Sequence, residues 1–156
     1  MTFSIFFNAQ GPTAVDILPE KTTINASYYT GVVLPKVVKE VCNQRPTVGT
    51  SRTLLLHDNA AAHKAKVTTT FLSEQGIQIL DHPPYSPDLA PCDFWLFPTL
   101  KERLVGRKFD RVQDLAKAVN SELRGIPKED YQGALFAWRR RLETCIRVKG
   151  EYFEGM

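Results

Sequence analysis

Two aspartates, Asp58 and Asp93, carry most of the chemistry this sequence offers, with 34 residues between them. Asp58 follows Leu54-Leu55-Leu56-His57, and Asp93 closes the stretch DHPPYSPDLAPCD. Three consecutive leucines read as a strand covered on both faces, and such a strand delivers its last residues to the carboxyl edge of a sheet, where α/β proteins place their sites. Asp93 stands where a loop stiffened by four prolines hands over to a helix, with Pro91 suited to its first turn. Carboxylates held this way suit hard divalent cations: Mg²⁺ takes one or two carboxylate oxygens, keeps several waters and leaves room for substrate phosphates. Two such ions, about 3.5–4 Å apart, permit in-line displacement at phosphorus, so the two carboxyl groups should lie close together in space. Each aspartate also has a plainer role. Asp58 or Asn59 could cap a helix beginning near Ala61, worth about 0.5–2 kcal/mol, and an acid at position 93 favours a helix macrodipole. Alone, Asp58 reads first as a cap; the pair with Asp93 gives the metal reading its weight. His57 and Asn59, alternating with Asp58 along a strand, should face away from it.

A second group of residues could meet phosphate. Lys101, Arg103, Arg107, Lys108 and Arg111 face only two acids in the same stretch, and Arg139, Arg140, Arg141, Arg147 and Lys149 crowd the carboxyl end. Contact with a nucleic-acid backbone and a solvated helix face explain such runs equally well. The net charge of +3 argues only weakly for an anionic partner. Cys42, Cys92 and Cys145 are odd in number and far apart, which fits reduced, core-filling thiols better than a disulfide framework or a metal knuckle.

These side chains need elements to position them. The 156 residues, 43% hydrophobic and 24% charged, fit one globular domain with a real core and exclude disordered and fibrous classes. No apolar run approaches the roughly 20 residues of a membrane span, and MTFSIFFNAQ lacks the sequence of a signal peptide, so a soluble intracellular chain is expected. Thr2–Phe7 and Thr13–Leu18 read as a hairpin about the turn Asn8–Pro12. Asn25–Cys42 reads as a helix with Pro35 a kink. Thr53–Leu56 and Ile77–Leu80 read as strands around a helix from Ala61 to Gln75 that Gly76 ends. Further helices are expected over Pro91–Val105, Val112–Leu123 and Lys128–Ile146, with an irregular tail VKGEYFEGM. The order is that of an α/β layered domain with a mixed sheet.

HDNAAAH (His57–His63), HPPYSPDLAPCDFWLFPTLKERLVGRKF (His82–Phe109), GEYFEG (Gly150–Gly155) and PEKTTINASYY (Pro19–Tyr29) resemble the catalytic domain of mariner/Tc1-type transposases, within the ribonuclease-H-like superfamily. The spacing of Asp58 and Asp93 matches that between the family's second and third catalytic aspartates. The resemblance implies a ribonuclease-H-like mixed sheet with flanking helices, DNA cleavage and strand transfer with Mg²⁺ or Mn²⁺, and Asp58 and Asp93 as metal ligands. It also implies DNA partners (transposon ends and target), a possible second transposase chain as homodimer, no membrane, and nuclear localisation.

The chain departs from the family in two places. Ala61 and Ala62 stand where the family's HDNARPH box has Arg-Pro, with His63 matching its last residue. In the family the first catalytic aspartate lies on a central strand ahead of the hairpin, and no residue here matches it. Asp16, the only acid before Glu20, falls in the hairpin's second strand. The expectation is a carboxyl-terminal, single partial domain over residues 1–156, with two of three metal ligands, without the strand of the first aspartate or the amino-terminal DNA-binding domains, and inactive alone. Two other readings stand beside it. One is a catalytically dead remnant that binds nucleic acid or a protein; the other is a structural domain whose aspartates only cap helices.

Overall fold

Short β-favouring runs and Asn-, Pro- and Gly-punctuated helices build the chain in the order read from the sequence. The computed structural model describes residues 2–19 and 21–148. The motif GEYFEG, Lys149 and most of the tail lie outside these residues. The described residues divide into two compact units, 2–6 with 13–84, and 7–12 with 85–148.

In the first unit, β1 (Thr2–Asn8) and β2 (Gly11–Leu18) form a hairpin whose tip, residues 7–12, groups with the second unit. The strands run longer than the sequence reading gave them, because the turn needs only Ala9 and Gln10. Asn8 Oδ1 accepts the Gln10 N–H at 2.8 Å, and Gly11 takes a φ of 120° that other residues resist. Asn25 caps the next helix, accepting the Tyr28 N–H at 2.8 Å. That helix is α1 (Ala26–Tyr28), then a wider π turn over Tyr29–Val33, then α2 (Leu34–Gln44). Pro35 cannot donate a backbone hydrogen bond, and the widened turn just before it replaces the expected kink.

β3 (Leu54–Leu56) and β4 (Gln78–Leu80) pair in parallel, with Leu55 opposite Ile79. The crossover between them holds α3 (Ala61–Lys64) and α4 (Lys66–Glu74) rather than one helix. The break is at Ala65, whose ψ is 145°. Buried Thr68 explains it: its hydroxyl donates to the Ala62 carbonyl at 2.5 Å while its N–H turns to Ala65. Gly76, at φ 73°, ends α4 as expected. Tyr29, Val33, Leu34, Leu55, Leu72 and Ile77 form the core of this unit, with Phe6 packed against it.

One expectation is corrected here. β3 is not covered on both faces, because Leu54 is 55% exposed while Leu55 is buried. The mixed α/β architecture is as expected, and among the described residues its strands form two separate two-stranded sheets.

The second unit begins with the proline loop, which includes a 3₁₀ turn at Pro87–Leu89. A π turn over Cys92–Leu96 runs into α5 (Phe97–Leu104), again with a proline, Pro98, just beyond the widened turn. α6 (Val112–Gly125) and α7 (Lys128–Arg147) follow, with Glu129 and Asp130 complementing the α7 dipole. Leu96, Leu100, Val119, Leu123 and Tyr131 are buried. Tyr131 Oη donates to the Leu123 carbonyl at 2.6 Å, and the rings of Phe7, Trp95 and Tyr131 pack together at 5.2–5.5 Å. The three cysteines form no disulfide among the described residues and are only partly buried. No helix of the described residues is long and apolar enough to cross a membrane.

Candidate active site

Asp58 lies two residues past β3, on irregular backbone rather than on a strand. It does not cap α3, which starts from Ala60 without any side-chain cap. Its Oδ1 instead accepts the Ala60 N–H at 3.0 Å and lies 2.8 Å from His63 Nδ1. His63 Nδ1 is also 3.1 Å from the Asp58 carbonyl oxygen. Both neighbours of Nδ1 are acceptors, so that nitrogen carries the proton and donates. The Asp58 side chain is 68% exposed, and Oδ2 has no hydrogen-bond or ion-pair partner among the described residues.

Behind this contact stands an aromatic stack. The His57 ring lies 4.5 Å from that of His63 and within 7° of parallel, and Tyr29 packs on His63 at 4.4 Å. Tyr29 Oη is 2.9 Å from His57 Nδ1. Burial, helped by the charge of Asp58, raises the Tyr29 phenol far above its ordinary pKa, so it stays protonated and donates. His57 is pushed down to about 4, chiefly by burial and then by His63, against an opposing pull from Asp58. It is neutral near pH 7, accepts at Nδ1 and carries its proton on Nε2. The expectation that His57 faces away from Asp58 is therefore corrected, since both meet His63. Two-residue alternation ends where the strand ends, at Leu56. Asn59 does turn elsewhere, donating to the His82 carbonyl at 2.8 Å.

Asp93 sits, exposed, in the first turn of the π segment, where its N–H is bonded to the Ala90 carbonyl at 2.9 Å. The loop leading to it is held from α7: Arg141 Nη1 donates to the Asp88 carbonyl at 3.1 Å, and its guanidinium lies 4.1 Å from the centre of the Phe94 ring. Cys92 is buried enough to push its thiol up to about 12, with Asp93 adding to the rise, so it is an inert neighbour.

The basic stretch is less open than its sequence suggests. Arg103 and Arg107 both bind Glu122, at 3.2 and 3.1 Å, and Arg111 binds Asp114 at 3.0 Å. Lys101 and Lys108 are exposed and form no ion pair among the described residues. At the carboxyl end Arg139 pairs with Glu143 at 3.2 Å.

Tyr29 did not stand out in the sequence as a site residue, and Arg141 stood out only as a candidate for phosphate contact, not as a brace for the loop before Asp93. Each reaches its partner from 28 and 53 residues away, and no local pattern signals such contacts. Among the described residues no three His, Cys, Asp or Glu side chains group to hold a metal ion. The donors that are present, carboxylate oxygens, are of the kind that suits Mg²⁺ with most of its waters retained.

Residues 18–116 match the family of DDE superfamily endonucleases. The chain belongs to that family. It is 30% identical over 151 residues to the human histone-lysine N-methyltransferase SETMAR, which it covers to 22%, with 97% of its own length included. It is 26% identical over 152 residues to the Mariner Mos1 transposase of Drosophila mauritiana, matching 96% of this chain and 44% of that protein. The chain thus spans less than half the length of either relative. Among solved structures, this endonuclease-family chain resembles the Mos1 transposase catalytic domain with raltegravir and Mg at a TM-score of 0.88 and 28% identity, over 97% of this chain and 76% of that one. It resembles a Mos1 paired-end complex with the left transposon end at a TM-score of 0.86 and 29% identity, over 96% of this chain and 44% of that one. The α/β fold is that of a mariner transposase catalytic domain, and the chain is a transposase-derived domain.

Proposed function

We propose that these residues form part of a mariner-type transposase active site in which Asp58 and Asp93 provide carboxylates for divalent-metal cleavage and joining of DNA. The observation that supports this most is the Asp58 carboxylate itself: exposed, fixed at Oδ1 by His63 and Ala60, and open at Oδ2. Asp93, on a loop braced by Arg141, is the second carboxylate of the reading. A divalent ion such as Mg²⁺ or Mn²⁺ held by these carboxylates would polarise a phosphate oxygen and strengthen the attacking hydroxyl as a nucleophile. The work of this chain's own residues is placement: Asp58 and Asp93 hold oxygen donors still, and the stack behind Asp58 limits its rotation.

DNA, as transposon ends and target, is the proposed partner, with a second transposase chain beside it and the nucleus as the place of action. A structure of the relative Mos1 in a paired-end complex with a transposon end supports the DNA partner. Lys101 and Lys108 are the first candidates for phosphate contact, with Arg103, Arg107 and Arg111 reaching DNA only by giving up Glu122 or Asp114.

Asp58 and Asp93 match two of the family's three catalytic aspartates, so weak Mg²⁺ or Mn²⁺ binding and no strand cleavage by these 156 residues alone are expected. The experiment is an end-cleavage assay on transposon-end DNA with either metal, beside Asp58→Ala and Asp93→Ala. Cleavage that disappears with Asp58→Ala would confirm the site and contradict the expected inactivity. Cleavage insensitive to both substitutions would remove the two aspartates from the chemistry.

A further inference from the structure

Among the described residues the Asp58 carboxylate has two fixed contacts, and one of them comes from a side chain whose position is set by a second network. His63 lies on α3, one turn beyond Asp58, where it returns its Nδ1 to the carboxylate at 2.8 Å. α3 is a four-residue helix without a side-chain cap, so its own backbone holds His63 poorly. The ring is held instead by packing, with His57 stacked on it at 4.5 Å and Tyr29 against it at 4.4 Å. Tyr29 is fully buried in the core of its unit, and its hydroxyl fixes the orientation of His57 at 2.9 Å. The chain of contacts therefore runs from a rigid core residue to an exposed carboxylate.

We propose that His63 is a positioning residue for metal binding: its Nδ1–H pins Asp58 Oδ1, and the stack with His57 and Tyr29 pins His63, so that Oδ2 is presented to a divalent cation in one orientation. This rests on the reading of Asp58 as a metal ligand. A freely rotating carboxylate loses more entropy on binding an ion than one already held. Partners in the outer shell of a metal site typically change affinity about 10- to 100-fold when removed.

The test is Mn²⁺ binding by the purified chain, read from the free-Mn²⁺ electron paramagnetic resonance signal, with thermal melting recorded for every variant. His63→Ala should weaken binding about tenfold or more. His63→Asn, whose amide nitrogen stands close to where Nδ1 stood, should recover most of that loss. His63→Gln, which moves the donor outward toward the Nε2 position, should not. The comparison of Asn with Gln decides the matter even if His63→Ala does not fold. Equal affinities for wild type, Asn and Gln variants would overturn the inference, as would a lowered melting temperature with unchanged affinity. Asp58→Ala separates the two levels: binding that it leaves intact removes Asp58 as a ligand, and binding that it abolishes while His63 variants keep wild-type affinity overturns the positioning role alone.

Discussion

The imidazoles of His57 and His63 lie 4.5 Å apart and 7° from parallel, and only one of them touches Asp58 by hydrogen bond. One ring is tied to the core through Tyr29, the other to the exposed carboxylate. The pair links the buried core of its unit to an exposed carboxylate.

The stack has a measurable pH signature. His57 titrates near 6.5 when unfolded and at about 4 when folded, mainly because burial disfavours its charged form. Between those values the unfolded state binds the extra proton, so His57 makes the protein lose stability as pH falls from about 6.5 toward 4, with no further loss below. Urea midpoints at pH 4.5 and 7 should show this slope, and His57→Phe should reduce it. A folded-state midpoint near 6.5 for His57 by NMR would contradict the burial argument.

Asp16 is an acid with a structural task. It is 8% exposed and accepts hydrogen bonds from Tyr28 Oη and Lys36 Nζ, both at 2.8 Å. Asp16→Ala leaves a partly buried hydroxyl and an ammonium without their acceptor and should cost about 1–3 kcal/mol in urea unfolding. Mn²⁺ affinity should not change. A stable variant with impaired metal binding would reassign Asp16 to the site.

The one-sided burial of β3 predicts unequal neighbours. Leu55→Ala empties part of a core shared with Tyr29 and Leu72 and should cost about 2–5 kcal/mol. Leu54→Ala, at a position 55% exposed, should fall within roughly 0.5 kcal/mol of wild type. Equal losses would show that Leu54 is covered in solution.

If the basic stretch meets DNA, its members should contribute unequally. Each phosphate contact adds about 0.9 to the slope of log affinity against log salt for duplex DNA. Lys101→Gln with Lys108→Gln should therefore flatten the slope more than Arg103→Gln with Arg107→Gln, whose guanidinium groups are already engaged by Glu122. An unchanged slope in the lysine variant would return the whole stretch to a solvated, ion-paired face.

Local signals in the sequence carried the elements well. Gly76 as a helix terminator and the helices expected over Val112–Leu123 and Lys128–Ile146 depend on neighbours a few residues away, and they appear close to where the sequence places them. The break at Ala65 was not legible, because it follows from the burial of Thr68, a tertiary fact. Leu54 misled for the same reason, since three leucines do not say which face the fold covers. At the site, Asp58 and Asp93 stood out by type and setting, whereas the Tyr29–His57 bond and the pairing of Arg103 and Arg107 with Glu122 required the fold.

The central claim, that Asp58 and Asp93 serve one metal site, is tested most directly by letting a metal report its own surroundings. Fe²⁺ with ascorbate and peroxide, substituted for Mg²⁺, generates hydroxyl radicals that cut the polypeptide only near the bound ion. The account predicts two sets of cuts, one around residues 57–59 and one around 92–94, both suppressed by excess Mg²⁺ and both lost in Asp58→Ala. Cuts near one aspartate alone, or a pattern indifferent to Asp58, would contradict it.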